Sequence, residues 1–162
     1  MKEFDELYNL YSEGVYKYLV YLTGNLSVAE DLLQETFFQA FKSINKFKGE
    51  SKISTWLYGI ARNTYLKNYN REKKYNLCHI DDFKDHINSG ELLDSNYERK
   101  ETLREILCEI NKLDFESKQV VLLRISGDLS FKDIGEILGK SESWARVTFH
   151  RTKIKLRKEM EL

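Results

Sequence analysis

The chain has 162 residues, 26 of them basic and 26 acidic, with no proline and 41% hydrophobic residues. That is enough apolar material for one modest core or two small ones, and too much for a wholly disordered chain. No apolar run approaches the roughly 20 residues needed to cross a bilayer, and the acidic start "MKEFDELYNLY" lacks the apolar segment of a secretory signal.

In chain order, Phe4, Leu7, Tyr8, Tyr11, Val15, Tyr18, Leu19 and Leu22 recur at three- and four-residue steps, which predicts a helix stopped at Gly24. A second helix is expected to open at "SVAE", with Ser27 as cap and Glu30 returning the bond. Its apolar stripe runs Val28, Leu32, Leu33, Phe37, Ala40, Phe41, Ile44. "KFKGES", from Lys46 to Ser51, reads as a loop. A third helix covers about Ile53 to Tyr75, with Ile53, Leu57, Ile60, Ala61 and Leu66 as expected core. Residues 76–97 lack a sustained period and are rich in Asp, Asn, Ser and Gly, so they read as an acidic linker. Cys78 in that stretch and Cys108 beyond it point to free thiols in a reducing cytoplasm rather than to a disulfide framework. Helices near Glu98–Leu113, Phe115–Ser126, Phe131–Leu138 and Glu142–Glu159 follow. The fold class is therefore all-α: two small helical domains, 1–75 and 98–162, on a tether.

The neutral total hides strong segregation. Residues 1–40 hold seven acids against two bases, 62–74 five bases against one acid, 79–98 six acids against one base, and 140–158 seven bases against one acid. Ordered blocks of alternating sign point to several surfaces with different partners, beyond what solvated helix faces require.

The last block sits in "LSFKDIGEILGKSESWARVTFHRTKIKLRKEM", from Leu129 to Met160. Ser130 and Asp133 support one helix start, Gly135 is small where two helices must cross, and Gly139 suits a left-handed cap. Ser141 caps the next helix, and Ala145 lies six residues beyond Gly139. This spacing fits a helix-turn-helix. Ala145, Phe149, Thr152 and Leu156 would face inward, leaving Ser143, Arg146, Val147 and His150 outward near the helix start. Arg151, Lys153, Lys155, Arg157 and Lys158 add charge suited to phosphates, while a guanidinium such as that of Arg146 can bridge two acceptors of a guanine.

The tail resembles region 4 of the extracytoplasmic-function (ECF) sigma factors of the sigma-70 family. The first domain resembles sigma region 2, through "AEDLLQETFFQAFKSINKF" followed by "STWLYGIARNTYLKNYNR". The two motifs stand in the family's order and cover nearly everything except the linker. The resemblance implies a minimal alternative sigma factor, a cytoplasmic specificity subunit that directs transcription initiation and is not an enzyme. Its implied partners are core RNA polymerase, promoter DNA and an anti-sigma factor. No cofactor, metal, small-molecule substrate or membrane insertion is implied.

By that resemblance, Asp31, Gln34, Glu35 and Phe38 would bind core polymerase; read from the residues alone, a solvated face with Phe38 packed against the first helix is the favoured expectation. The loop residues Phe47, Lys48, Gly49 and Lys52 would help form a pocket for a flipped base of the −10 element. Arg62, Asn63, Tyr65, Lys67, Asn70 and Arg71 would contact the melted strand, since phosphates attract cations and unpaired bases stack or bond to amides. Tyr58, Arg62, Tyr65 and Tyr69 fall near one face of that helix, beside a polar face of Asn63, Lys67, Asn70 and Lys74. Trp56 reads as core. At the −35 element the contacts would be Ser141, Ser143, Arg146, Val147, His150 and Arg151, and Trp144 and Thr148 depart from the family's usual residues. The linker acids Asp81, Asp82, Asp85, Glu91 and Asp94 would mimic nucleic acid in the polymerase channel. A competing reading is a dimeric operator-binding regulator, which leaves the aromatic-basic third helix unexplained. An enzyme is more remote, because Cys78, His79, His86 and Cys108 match no usual zinc spacing.

Overall fold

A computed structural model of the protein describes residues 1–74 and 97–161. The chain divides into two compact units, Met1–Phe83 and Lys84–Leu162. The expected acidic linker, with Cys78, His79 and His86, lies outside the described residues except for Tyr97.

The first unit packs three helices, α1 (Lys2–Thr23), α2 (Leu26–Ser43) and α3 (Ile53–Lys74), with a short 3-10 turn at Ile44–Lys46. α1 ends as its sequence demands: Gly24 takes the left-handed conformation, φ 64°, and its N–H donates to the Val20 carbonyl at 2.7 Å. α2 opens two residues before the expected start. Asn25 is extended at φ −140°, and its side chain accepts from the Val28 N–H at 3.1 Å. That places Ser27 already inside the first turn, exposed, and the Ser27–Glu30 capping box does not form.

Val15, Tyr18, Leu19, Ala29, Leu57 and Ala61 are fully buried where the three helices meet. Phe37 joins them, with the rings of Phe4 and Tyr8 edge-on to it at 6.2 and 4.7 Å. Phe41, expected in the core, is instead 52% exposed, with the ring of Phe4 edge-on to it at 5.2 Å. Thr36 takes an inward position that the apolar pattern does not mark. It is fully buried because its hydroxyl donates to the Leu32 carbonyl at 2.6 Å and so leaves no polar group unsatisfied.

The second unit contains α4 (Tyr97–Asn111), α5 (Phe115–Gly127), α6 (Phe131–Leu138) and α7 (Glu142–Glu159). α4 stops two residues short of the expected Leu113. There the N–H groups of Lys112 and Leu113 reach back only three residues, to the carbonyls of Glu109 and Ile110. Asp114 then caps α5, its carboxylate accepting from the Ser117 N–H at 3.0 Å. Leu107, Ile110, Val120, Leu122, Leu123, Ile134 and Ala145 form the core, drawing on all four helices. The bounds of α6 and α7 coincide with those read from the sequence, since each has both a polar cap and an apolar period.

Candidate nucleic-acid interface

In the second unit the turn between α6 and α7 is held by backbone geometry from both sides. Ser130 and Asp133 form a reciprocal capping box, with Oγ accepting from the Asp133 N–H at 3.1 Å and Oδ2 accepting from the Ser130 N–H at 3.3 Å. Gly139 ends α6 at φ 67°, and Lys140 donates its N–H to the Gly135 carbonyl at 2.8 Å. A Cβ on Gly135 would stand 2.7 Å from the Lys140 carbonyl oxygen and 2.9 Å from that of Ser141. The absence of a side chain there is what lets α7 start so close to α6. Ser141 caps α7 by accepting from the Trp144 N–H at 3.0 Å.

With Ala145 and Thr152 buried, α7 has one orientation. Ser143, Arg146, Val147 and His150 all point outward and are exposed, as are Ser141 and Arg151. Lys153, Lys155, Arg157 and Lys158 extend the exposed positive surface along the helix. Arg146 is not a loose side chain: its Nη2 donates to Glu142 at 2.9 Å, one turn earlier on the same helix. Trp144 is half-buried beneath the ammonium of Lys140, 5.3 Å from its ring centroid, and Lys140 also lies 3.5 Å from Glu116 at the start of α5. Trp144 thus faces the turn, beside the outward stripe.

In the first unit, Asp31, Gln34, Glu35 and Phe38 are all exposed on α2. Phe38 is 55% exposed with the Lys42 ammonium 4.9 Å above its ring, so it is an outward aromatic amid charges, while Phe37 and Phe41 meet Phe4 of α1. Glu35 accepts from the Gln39 amide at 2.6 Å.

On α3 the polar face is open: Asn63, Lys67, Asn70 and Arg71 are exposed, as are Lys48 and Lys52 in the preceding loop. Phe47 is half-buried, its ring tilted 5.1 Å from that of Trp56. The neighbouring tyrosine face is a correction to the sequence reading. Tyr58 and Tyr65 are 2% and 7% exposed, and Tyr58 meets Tyr18 of α1 edge-on at 5.7 Å. Burial pushes the phenols of Tyr18 and Tyr58 far above their ordinary range. Tyr65 therefore belongs to the core and offers no free ring for stacking. Arg62, on the same face, is half-buried with its Nε enclosed and without a hydrogen-bond partner. Tyr69, one turn beyond Tyr65 and 5.9 Å from it, is the tyrosine of that face that reaches solvent.

The α2 and α3 surfaces are not separate. Asp31, Glu35 and Gln39 line one wall of an open groove of about 630 Å³, and Thr64, Lys67, Asn68 and Arg71 line the other. The acids singled out on α2 and the bases singled out on α3 thus border the same space, a juxtaposition that no spacing in the sequence reveals.

Comparison with known proteins places both units. Residues 7–75 match the model of Sigma-70 region 2, and residues 103–156 match Sigma-70, region 4. RNA polymerase sigma factor YlaC of Bacillus subtilis is 36% identical over 166 residues, covering 96% of this chain and 91% of its own. ECF RNA polymerase sigma factor SigX of the same organism is 29% identical over 163 residues, covering 98% and 84%. Among solved structures, the sigma factor RpoE in complex with the anti-sigma factor NepR, from Bartonella quintana, shares the fold with a TM-score of 0.78 at 18% identity, over 100% of this chain and 99% of that one. CnrH in complex with the cytosolic domain of CnrY does so with a TM-score of 0.71 at 17% identity, over 99% and 88%. None of the described helices is long and apolar enough to cross a membrane.

Proposed function

The chain belongs to the ECF group of the sigma-70 family, and from that premise we propose that it binds core RNA polymerase and selects promoters by reading the −35 element with its second unit while trapping melted −10 DNA with its first. As an alternative sigma factor it serves transcription initiation; sigma factors are initiation factors rather than enzymes. The domain bounds that go with this reading are 1–75 for region 2, 76–97 for the acidic connection and 98–162 for region 4.

The observation that carries the reading is the start of α7. Four outward side chains, Ser143, Arg146, Val147 and His150, stand exposed within two turns of a capped helix whose approach to α6 is set by Gly135. Side chains near the start of a helix reach base edges in the major groove, and the later lysines and arginines, with Ser141 and Arg151, hold phosphate. At the −10 element, Asn63, Lys67, Asn70 and Arg71 on α3 and Phe47, Lys48 and Lys52 in the loop are the contacts proposed, together with the half-buried Arg62. Tyr65 is withdrawn from that set. Selectivity for the melted strand comes from binding bases that have left the stack, an event costing a few kcal/mol per step.

Asp31, Gln34, Glu35 and Phe38 are proposed to dock on polymerase, because a half-exposed aromatic ringed by charges resembles the anchor of an interface more than a solvated face. An anti-sigma factor is proposed as a further partner, as in the two complexes of similar fold. The proposed location is the cytoplasm, where polymerase acts.

Run-off transcription with core polymerase on a promoter library tests this. Promoter-specific transcripts that depend on the chain are expected. Arg146→Ala should relax −35 selection, and Glu35→Ala should weaken capture of core enzyme in a pull-down. Tight operator binding without polymerase, and no promoter-specific transcript with it, would replace this reading with that of a conventional regulator.

A further inference from the structure

One aromatic ring joins three helices of the second unit. Phe131 is the first residue of α6. The Arg124 guanidinium, from α5, lies 4.5 Å from its ring centroid, and the Arg146 guanidinium, from α7, lies 5.6 Å from it. The rings of Phe149 and His150, also on α7, are tilted against it at 5.4 and 6.0 Å. The cluster is tied down at its base, since Arg124 donates from Nη1 to the Leu129 carbonyl at 2.6 Å. Two outward residues of the proposed −35 surface, Arg146 and His150, therefore rest on a half-buried ring that belongs to the preceding helix.

This placement bears on specificity through entropy. A long arginine on an exposed helix face samples many rotamers and loses them when it grips a base. Here the Phe131 face attracts the guanidinium through its quadrupole, and Glu142 accepts a hydrogen bond from Nη2. Restriction by two partners presents Arg146 already ordered. An arginine carries five N–H donors in a planar fork. The single donor given to Glu142 leaves enough of the fork to meet the two acceptors of a guanine edge.

We propose that Phe131 is a positioning residue that sets base discrimination at the −35 element, by holding Arg146, and beside it His150, in the pose that meets the major groove. The proposal rests on the reading of α7 as the −35 helix. Phe131 makes no base contact in this account, and the phosphate contacts are independent of it.

The test uses the full chain with core polymerase, and reads transcripts from promoters randomised across the −35 element. Phe131→Leu keeps apolar volume against Phe149 but removes the π face. It is expected to lower discrimination at the base position read by Arg146 by about threefold to tenfold. The salt dependence of promoter binding, which counts phosphate contacts, should keep its slope. Phe131→Tyr retains the ring and should restore most of the discrimination. In an Arg146→Ala background Phe131→Leu should have no further effect at that position, because the group it positions is gone. The proposal is overturned if Phe131→Leu leaves the selected −35 pattern intact while Arg146→Ala erases it, or if Phe131→Leu depresses every promoter equally with the pattern unchanged. If Arg146→Ala also leaves the pattern intact, the reading of α7 fails first and takes the proposal with it.

Discussion

Gly135→Ala separates two opposite consequences of the same methyl group. In the interior of a helix, alanine is favoured over glycine by up to about 1 kcal/mol. At Gly135 that gain is opposed by contact: the new Cβ would lie 2.7, 2.9 and 3.0 Å from the Lys140 oxygen, the Ser141 oxygen and the Ser141 carbonyl carbon. All three are backbone atoms, so no side-chain rotation relieves the overlap. The turn must withdraw by about 0.7 Å to reach an ordinary carbon–oxygen separation, which strains the 2.8 Å bond from Lys140 to Gly135. Overpacking of this kind costs about 1–3 kcal/mol, and rigid neighbours put it at the upper end. The net is a loss of about 2 kcal/mol, or roughly 10 °C in the melting of a unit this size. Scanning calorimetry of the full chain should show the second unit's transition falling by that amount while the first unit's stays in place. Gly59→Ala is the control: Gly59 lies within α3 with nothing within 4 Å of the added Cβ, so the substitution should raise the first unit's transition by several degrees. A Gly135→Ala chain that melts at or above the parent would refute the account of how α6 and α7 meet.

Two further outcomes follow from burial and charge. Tyr65→Ala should destabilise the first unit by about 3 kcal/mol, as removal of a buried aromatic does, whereas Asn63→Ala should leave its unfolding midpoint within about 0.5 kcal/mol. A denaturant titration distinguishes them, and equal midpoints would return Tyr65 to the surface. The Asp114 carboxyl is held below its ordinary value, chiefly by the Ser117 backbone N–H it accepts from and then by the Ser117 hydroxyl. A depressed folded-state value means this stabilisation is complete above the unfolded carboxylate range and is lost as pH falls through the folded value. Protection against hydrogen exchange at the first turn of α5, taken relative to the intrinsic rate at each pH, should fall over that acid window. Asp114→Asn, an uncharged cap, should remove the pH dependence, and an unchanged profile would sink the assignment.

Much of the fold was legible because helices announce themselves locally. Gly24 and Gly139 stop α1 and α6 in left-handed turns, and Ser130 and Ser141 cap the two helices of the turn motif. At α2 the expected cap did not form: Asn25, two residues before Ser27, takes the extended backbone and accepts the capping bond. The outward set on α7 followed from the period of Ala145 and Thr152, since two inward positions on one helix define the opposite face.

What sequence alone determined was the type and order of the helices, the caps of the turn motif, the family they compose, and the charged stripes they carry, because each of these depends on residues within a few positions of one another. Which aromatic lies inside was settled only by neighbours from other helices. Tyr65 and Tyr69 are alike in type and one turn apart, yet the first is buried, close enough to Tyr18 of α1 to act on its phenol, and the second reaches solvent. Phe41 fits the apolar stripe of α2 but is left half-exposed against Phe4 of α1. The groove shared by Glu35 and Lys67, and the ring of Phe131 beneath Arg146, likewise join residues from different helices, and such meetings exist only once the chain has packed.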